Sequence, residues 1–152
     1  TTFREIDLTK VIDSALLFAN VELAERGVTV IKEISPHDPR VIKGDADQLQ
    51  QLFLNLFLNA AQAMCRQGGT LTISLTAMPA AVEIAVADTG EGIAKEHVAK
   101  IFDPFFTTKA TGNGLGLAIC FRIIEAHKGT VRVESQPEQG TTFYVTFPRC
   151  DI

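Results

Sequence analysis

Two asparagines, Asn55 and Asn59, interrupt an otherwise apolar run at a spacing that stacks them on one face of a helix, with Gln62 and Arg66 continuing the row. An amide on a buried helix needs a partner, because leaving one unsatisfied costs about 1–3 kcal/mol. Backbone or water is the ordinary partner, and what the neighbouring stretches offer decides whether a ligand is the better one. The second polar stretch is Asp88-Thr89-Gly90-Glu91-Gly92-Ile93. Asp88 shares the parity of Val82, Ile84 and Val86, so its carboxylate points to the apolar, helix-covered side at the very end of a strand. A buried carboxylate without compensation destabilises a fold. It either caps the next turn or accepts from an amine on a planar base, and the two glycines after it would let a ligand approach the backbone. The third stretch, Gly112-Asn113-Gly114-Leu115-Gly116-Leu117, opens a helix directly. Glycines there leave backbone N–H groups aimed outward where the helix dipole favours phosphate, although a plain hinge would look the same. No strand leads into it and no G-x-x-x-x-G-K-[ST] loop occurs, so a nucleotide would bind by some other architecture than a dinucleotide fold or a P-loop.

The elements that must position these residues follow from periodicity. The asparagine row belongs to a long helix over 45–66, in which Leu49, Leu52, Phe53, Leu56, Ala60, Ala63 and Met64 recur at steps of three and four. Leu54, Phe57, Leu58 and Ala61 widen its apolar surface, so the helix must be buried on more than one side, and Asp45 or Asp47 is its cap. An earlier helix carries Val11, Ile12, Ala15, Leu16, Ala19 and Leu23 and stops at Gly27; a later one carries Leu117, Ile119, Ile123 and Ile124 and stops at Gly129. Strands are expected over 28–34, 70–76, 82–88, 130–135 and 141–147, with short extended pieces near 3–8 and 41–43. Residues 89–116 break every period, and a connection that long in a compact domain is usually functional.

The bulk numbers narrow the classes. A chain of 152 residues with 46% hydrophobic content suits one domain. The net charge is -4 and Lys and Arg are scattered, which points away from nucleic acid and from direct membrane contact. Cys65, Cys120 and Cys150 are odd in number and form no C-x-x-C pair, which argues against a disulfide framework or a zinc site and fits a reducing, cytoplasmic setting. Cys120, among Leu117, Ala118, Ile119 and Phe121, reads as a small core hydrophobe. No apolar run approaches the roughly 18–20 residues of a membrane span, and no signal peptide is visible. The start at Thr1-Thr2, running almost at once into an extended pattern, suggests a piece of a longer protein that could itself be anchored elsewhere.

Four stretches taken together resemble the N, first glycine, F and second glycine boxes of histidine kinase ATP-binding domains: Asn55-x-x-x-Asn59-Ala60, Asp88-x-Gly90-x-Gly92-Ile93, Phe102-Asp103-Pro104-Phe105-Phe106-Thr107-Thr108-Lys109, and Gly112-x-Gly114-Leu115-Gly116-Leu117. They stand in family order, and the helix, two strands and Gly140-Thr141 that follow also fit, so the resemblance covers essentially the whole chain. The Phe-Phe-Thr-Thr-Lys wording is similar to that of nitrogen-regulation-type sensor kinases. The resemblance implies a two-layer α/β (α+β) sandwich, the Bergerat fold. Its sheet is mixed and mostly antiparallel, with about five strands covered on one face by three helices, and residues 103–113 form an ATP lid. The cofactors it implies are ATP and Mg²⁺. Asn59 would hold the magnesium through its amide oxygen, since Mg²⁺ keeps several waters and bridges phosphate oxygens. Asn55 would sit beside the phosphates. Asp88 would accept from the adenine amino group, with Thr141 supporting it, Gly90 and Gly92 shaping the turn and Ile93 walling the base. Thr108 and Lys109 would contact phosphate, and Gly112, Gly114, Leu115, Gly116 and Leu117 would cradle it through their N–H groups. Phe105 and Phe106 would anchor the lid, dock a partner domain or fill the core. Many relatives carry a basic residue where this chain has Gln62, and Lys109 would supply that charge.

Gyrase-like, chaperone and mismatch-repair ATPases share this kind of pocket but carry a glutamate one turn before the magnesium asparagine. Here that position is Asn55, which cannot act as a base at neutral pH. The site is therefore expected to orient ATP for transfer and not to activate water. The alternatives are an ATP-driven clamp and a nucleotide-binding regulatory module. None of the three histidines suits an acceptor: His37 lies in a prolyl turn, His97 in a short helix before the lid, and His127 at the end of the last helix, each expected at the surface. The expected partners are thus a dimerisation domain bearing the acceptor histidine in the same, homodimeric parent protein, and a response regulator downstream.

Overall fold

The computed structural model describes residues 3–35, 40–64, 68–98 and 116–150. Strand β1 (Arg4–Asp7) leads straight into helix α1 (Leu8–Glu25), whose N-terminus is capped by the Asp7 carboxylate accepting from Thr9 N–H at 2.9 Å. The β-branched run that follows gives β2 (Val28–Glu33), and β3 (Val41–Gly44) then pairs antiparallel with β1 as a small separate ladder. Helix α2 (Ala46–Ala63) comes next, capped by Asp45, whose side chain accepts from Gln48 N–H at 3.1 Å. Strands β4 (Gly69–Ala77) and β5 (Ala81–Asp88) form a hairpin. The short helix α3 (Lys95–Val98) precedes α4 (Gly116–Ala126), and β6 (Thr130–Gln136) and β7 (Gly140–Pro148) close the chain.

The main sheet has the order β2-β4-β5-β7-β6; β2 runs parallel to β4, and the other neighbours are antiparallel. Strict alternation decides what faces the helices. Leu71, Ile73 and Leu75, Val82, Ile84 and Val86, and Phe143, Val145 and Phe147 are all buried on one face, where α2 packs between α1 and α4. This is the mixed five-stranded, one-side-covered sandwich that the sequence led us to expect. Burying Phe53 and Phe57 completely, each worth about 1.5–3 kcal/mol of apolar transfer, fixes the rotation of α2 about its axis. That rotation leaves Asn55, Asn59 and Gln62 half-buried along the border of the apolar surface, not sunk in it.

One expectation fails. His127 is buried, at 4% exposure, and not at the surface. Its Nδ1 donates to the Ile123 carbonyl at 2.8 Å, since a carbonyl can only accept, and its Nε2 accepts the Asp45 backbone N–H at 3.0 Å. Phe3 stacks on the ring at 4.7 Å and Phe147 meets it edge-on. A histidine at a helix end looks solvated in sequence; here the Asp45 amide, 82 residues distant, needs an acceptor and finds it. His97 sits half-buried in α3, and His37 lies outside the described residues.

Candidate functional site

The chemistry-bearing residues within the described part of the chain gather at one end of the sheet, on its helix-covered side. Asp88 closes β5 with 7% exposure, and Thr141, its register partner on β7, is 4% exposed. The Asp88 Oδ1 accepts from Gly90 N–H at 2.9 Å and from Thr141 N–H at 3.2 Å. Two backbone donors on one carboxylate oxygen are the compensation that a buried acid requires. Asp88 therefore caps its own turn, the first of the two uses weighed in the sequence.

The glycines of this turn have a job the sequence did not reveal. A Cβ on Gly90 would lie 2.5 Å from the Ala63 carbonyl oxygen, and Glu91 N–H donates to that same oxygen at 3.0 Å. Gly92 takes φ +72°, and a Cβ there would collide with the Gln136 carbonyl. Glu91 in turn accepts from Glu138 N–H at 2.7 Å. The close approach that demands glycine is thus that of α2 on one side and the β6–β7 turn on the other. The loop after Asp88 is stitched to both, which holds Asp88 in register with the asparagine helix.

Ser135 is the residue that sequence reasoning missed. Its Oγ accepts from Ile93 N–H at 2.7 Å, donates to the Gly140 carbonyl at 3.1 Å and meets Thr141 Oγ1 at 2.9 Å. One hydroxyl thereby joins the loop after Asp88, the start of β7 and Thr141. Its signal was available: Ser135 shares the parity of Val131 and Val133, a polar group ending an apolar strand face, as Asp88 does.

On the helix side, Asn55 reaches α4. Its side chain lies beside the Cys120 thiol, which donates to the Leu52 carbonyl at 3.7 Å. Burial pushes the Cys120 thiol up to about 12, the neighbouring Asn55 amide opposing this only in part. A thiol so held is not a nucleophile at neutral pH, and it serves as the core group expected of it. Asn59 stands one turn further along α2, half-buried. Leu117 packs against the core at the start of α4, and Ile93 packs against it from the loop.

Among the described residues no group of three or more His, Cys, Asp or Glu is placed to hold a metal. A cation here would depend on an amide oxygen such as that of Asn59 and on oxygens brought by a ligand, a donor set that suits Mg²⁺. No helix of the described residues is long and apolar enough to cross a membrane. Thr108, Lys109, Gly112, Gly114 and Leu115, with Phe105, Phe106 and the expected lid over 103–113, lie outside the described residues.

Comparison with known proteins agrees with this geometry. The family described as "Histidine kinase-, DNA gyrase B-, and HSP90-like ATPase" matches residues 44–151. Sporulation kinase A of Bacillus subtilis (strain 168) is 46% identical over 112 residues, 74% of this chain and 18% of that protein. Sensor histidine kinase ZraS of Escherichia coli (strain K12) is 39% identical over 143 residues, 94% of this chain and 30% of that protein. The chain thus spans under a third of the length of these two curated relatives. Among solved structures, the catalytic domain of histidine kinase ThkA superposes with a TM-score of 0.85 at 30% identity, covering 98% of this chain and 97% of that one. Full-length ShkA in complex with AMPPNP gives 0.84 at 29% identity, covering 97% of this chain and 31% of that one. ThkA in complex with the response regulator TrrA gives 0.81 at 30% identity, covering 97% and 42%.

Proposed function

This chain belongs to the family of histidine kinase-, DNA gyrase B- and HSP90-like ATPases, among the histidine kinase catalytic domains, and we propose that it binds Mg-ATP for phosphoryl transfer. The terminal phosphate goes to a histidine on a separate dimerisation domain of a homodimeric, cytoplasmically facing parent protein, and from there to a response regulator. The observation that carries this reading is Asp88: a buried carboxylate at a strand end, held by two backbone N–H groups on the side that faces the asparagine helix. The AMPPNP complex of ShkA and the regulator complex of ThkA support nucleotide and regulator as ligands of this kind of domain.

Asp88 accepts from the adenine amino group, with Thr141 beside it and Ile93 against the base, while Gly90 and Gly92 lock the turn. Asn59 supplies a neutral oxygen to Mg²⁺, which when bound neutralises phosphate charge. The backbone at Gly112, Gly114, Leu115, Gly116 and Leu117, where the chain enters α4, cradles phosphate, and Thr108 and Lys109 bring further phosphate contacts from the lid. Asn55, beside Cys120, is an amide in the position where a water-activating relative would carry a carboxylate. It has no basicity with which to deprotonate water, so transfer is favoured over hydrolysis.

Mixing the chain with a separately made acceptor-helix fragment and γ-labelled ATP tests the whole reading. Acid-labile label on a histidine of the fragment is expected, with little self-labelling. Steady release of inorganic phosphate without labelled protein would instead indicate an ATPase clamp, and neither product would indicate a binding module.

A further inference from the structure

We infer that Ser135 sets the hydrogen-bond polarity of the base-reading end of the site, making Thr141 an obligate acceptor beside Asp88 and so selecting a 6-aminopurine over a 6-oxopurine. This rests on the nucleotide reading above.

A serine hydroxyl owns one proton and two lone pairs. The Ile93 N–H can only donate, so it occupies one lone pair of Ser135 Oγ, at 2.7 Å. The Gly140 carbonyl can only accept, so it takes the one proton, at 3.1 Å. What Ser135 has left for Thr141 Oγ1, at 2.9 Å, is a lone pair. In the arrangement that satisfies all three partners, Thr141 donates in that contact, and its own single proton is committed. Toward a ligand the Thr141 hydroxyl offers lone pairs alone.

Across the ladder stands Asp88, paired in register with Thr141 and on the same helix-covered face. Its Oδ1 already accepts from Gly90 and Thr141 N–H groups, and a carboxylate has nothing to donate. This end of the site thus shows acceptors only. An exocyclic amine, with two N–H donors, satisfies them. A carbonyl in the same place sets oxygen against oxygen, and a site built from fixed polar groups rejects such a mismatch strongly. Ser135 exerts this control without touching the base, so its role is positioning.

Calorimetric affinities for ATP and for ITP, which carries a carbonyl in place of the amine, test it in the wild-type chain, Ser135→Ala and Ser135→Thr. Ser135→Ala returns the Thr141 proton, which can then serve a carbonyl. The expected results are an ATP preference of about a hundredfold or more in the wild type, and in Ser135→Ala a roughly tenfold weaker ATP affinity with the ATP:ITP ratio narrowed about tenfold. Ser135→Thr, which keeps the hydroxyl, restores both. A merely structural serine would weaken the two nucleotides equally, so an unchanged ratio overturns the inference while leaving the nucleotide site standing. If Ser135→Ala does not fold, Thr141→Val deletes the fixed acceptor directly and must narrow the same ratio. A wild-type chain that binds neither nucleotide overturns the site assignment and this inference together.

Discussion

His127 accepts the backbone N–H of Asp45 through Nε2 at 3.0 Å, tying the end of α4 to the cap of α2. The two helices that flank the candidate phosphate side are therefore held together at the end opposite the site, while the Cys120 thiol and the Leu52 carbonyl join them nearer to it. His127→Leu leaves the Asp45 amide without its acceptor. A loss of about 1–3 kcal/mol is expected, read as a lower denaturant midpoint with an unchanged slope. A midpoint equal to wild type would contradict the assignment.

Gly90→Ala puts a methyl group 2.5 Å from the Ala63 carbonyl oxygen, so the turn after Asp88 must move away from α2. Overpacking of this kind costs about 1–3 kcal/mol. Thermal melting should show it, and adenine nucleotide affinity should fall alongside, because the Gly90 N–H that holds Asp88 shifts too. Normal stability with normal affinity would mean that the close approach is unimportant.

The Cys120 thiol predicts an alkaline signature. With its value pushed up to about 12, the folded chain keeps a proton that the unfolded chain loses near 9.0. The folded state binds more protons in that window, so stability is fully present below 9.0 and is lost as pH climbs from there toward 12. Measured against Cys120→Ala, in which this term is missing, the wild type should lose about 1.4 kcal/mol of relative stability per pH unit above 9.0. Parallel stability curves for the two proteins would refute the burial argument.

Much of this site was legible in the sequence because it depends on parity and helical spacing, which are local. Asp88 was picked out by sharing a face with Val82, Ile84 and Val86, and the asparagine row by its steps of four, and both lie where those rules put them. What could not be read depends on contacts between distant segments. His127 is buried because the Asp45 amide needs an acceptor, Gly90 and Gly92 are glycine because Ala63 and Gln136 crowd them, and Ser135 matters through Ile93 and Gly140. Apart from Ser135 and Gly140, which are five residues apart, the partners of these pairs lie tens of residues from one another.

For Asn59, the expectation is confined to the metal. Asn59→Ala should lower affinity for Mg-ATP about tenfold while leaving binding in the presence of a chelator unaltered, so the two affinities converge. Magnesium dependence of wild-type size in the variant would remove Asn59 as the protein's oxygen for the cation.

Asp88→Asn tests most directly the proposal that Asp88 reads adenine, because it keeps the shape and substitutes an amide for the carboxylate. Titration of a fluorescent ATP analogue into the wild type should saturate, and in Asp88→Asn, folded by the same melting curve, the affinity should fall by roughly 10- to 100-fold, the loss of a charge-assisted hydrogen bond. Equal affinity in the two proteins would contradict it.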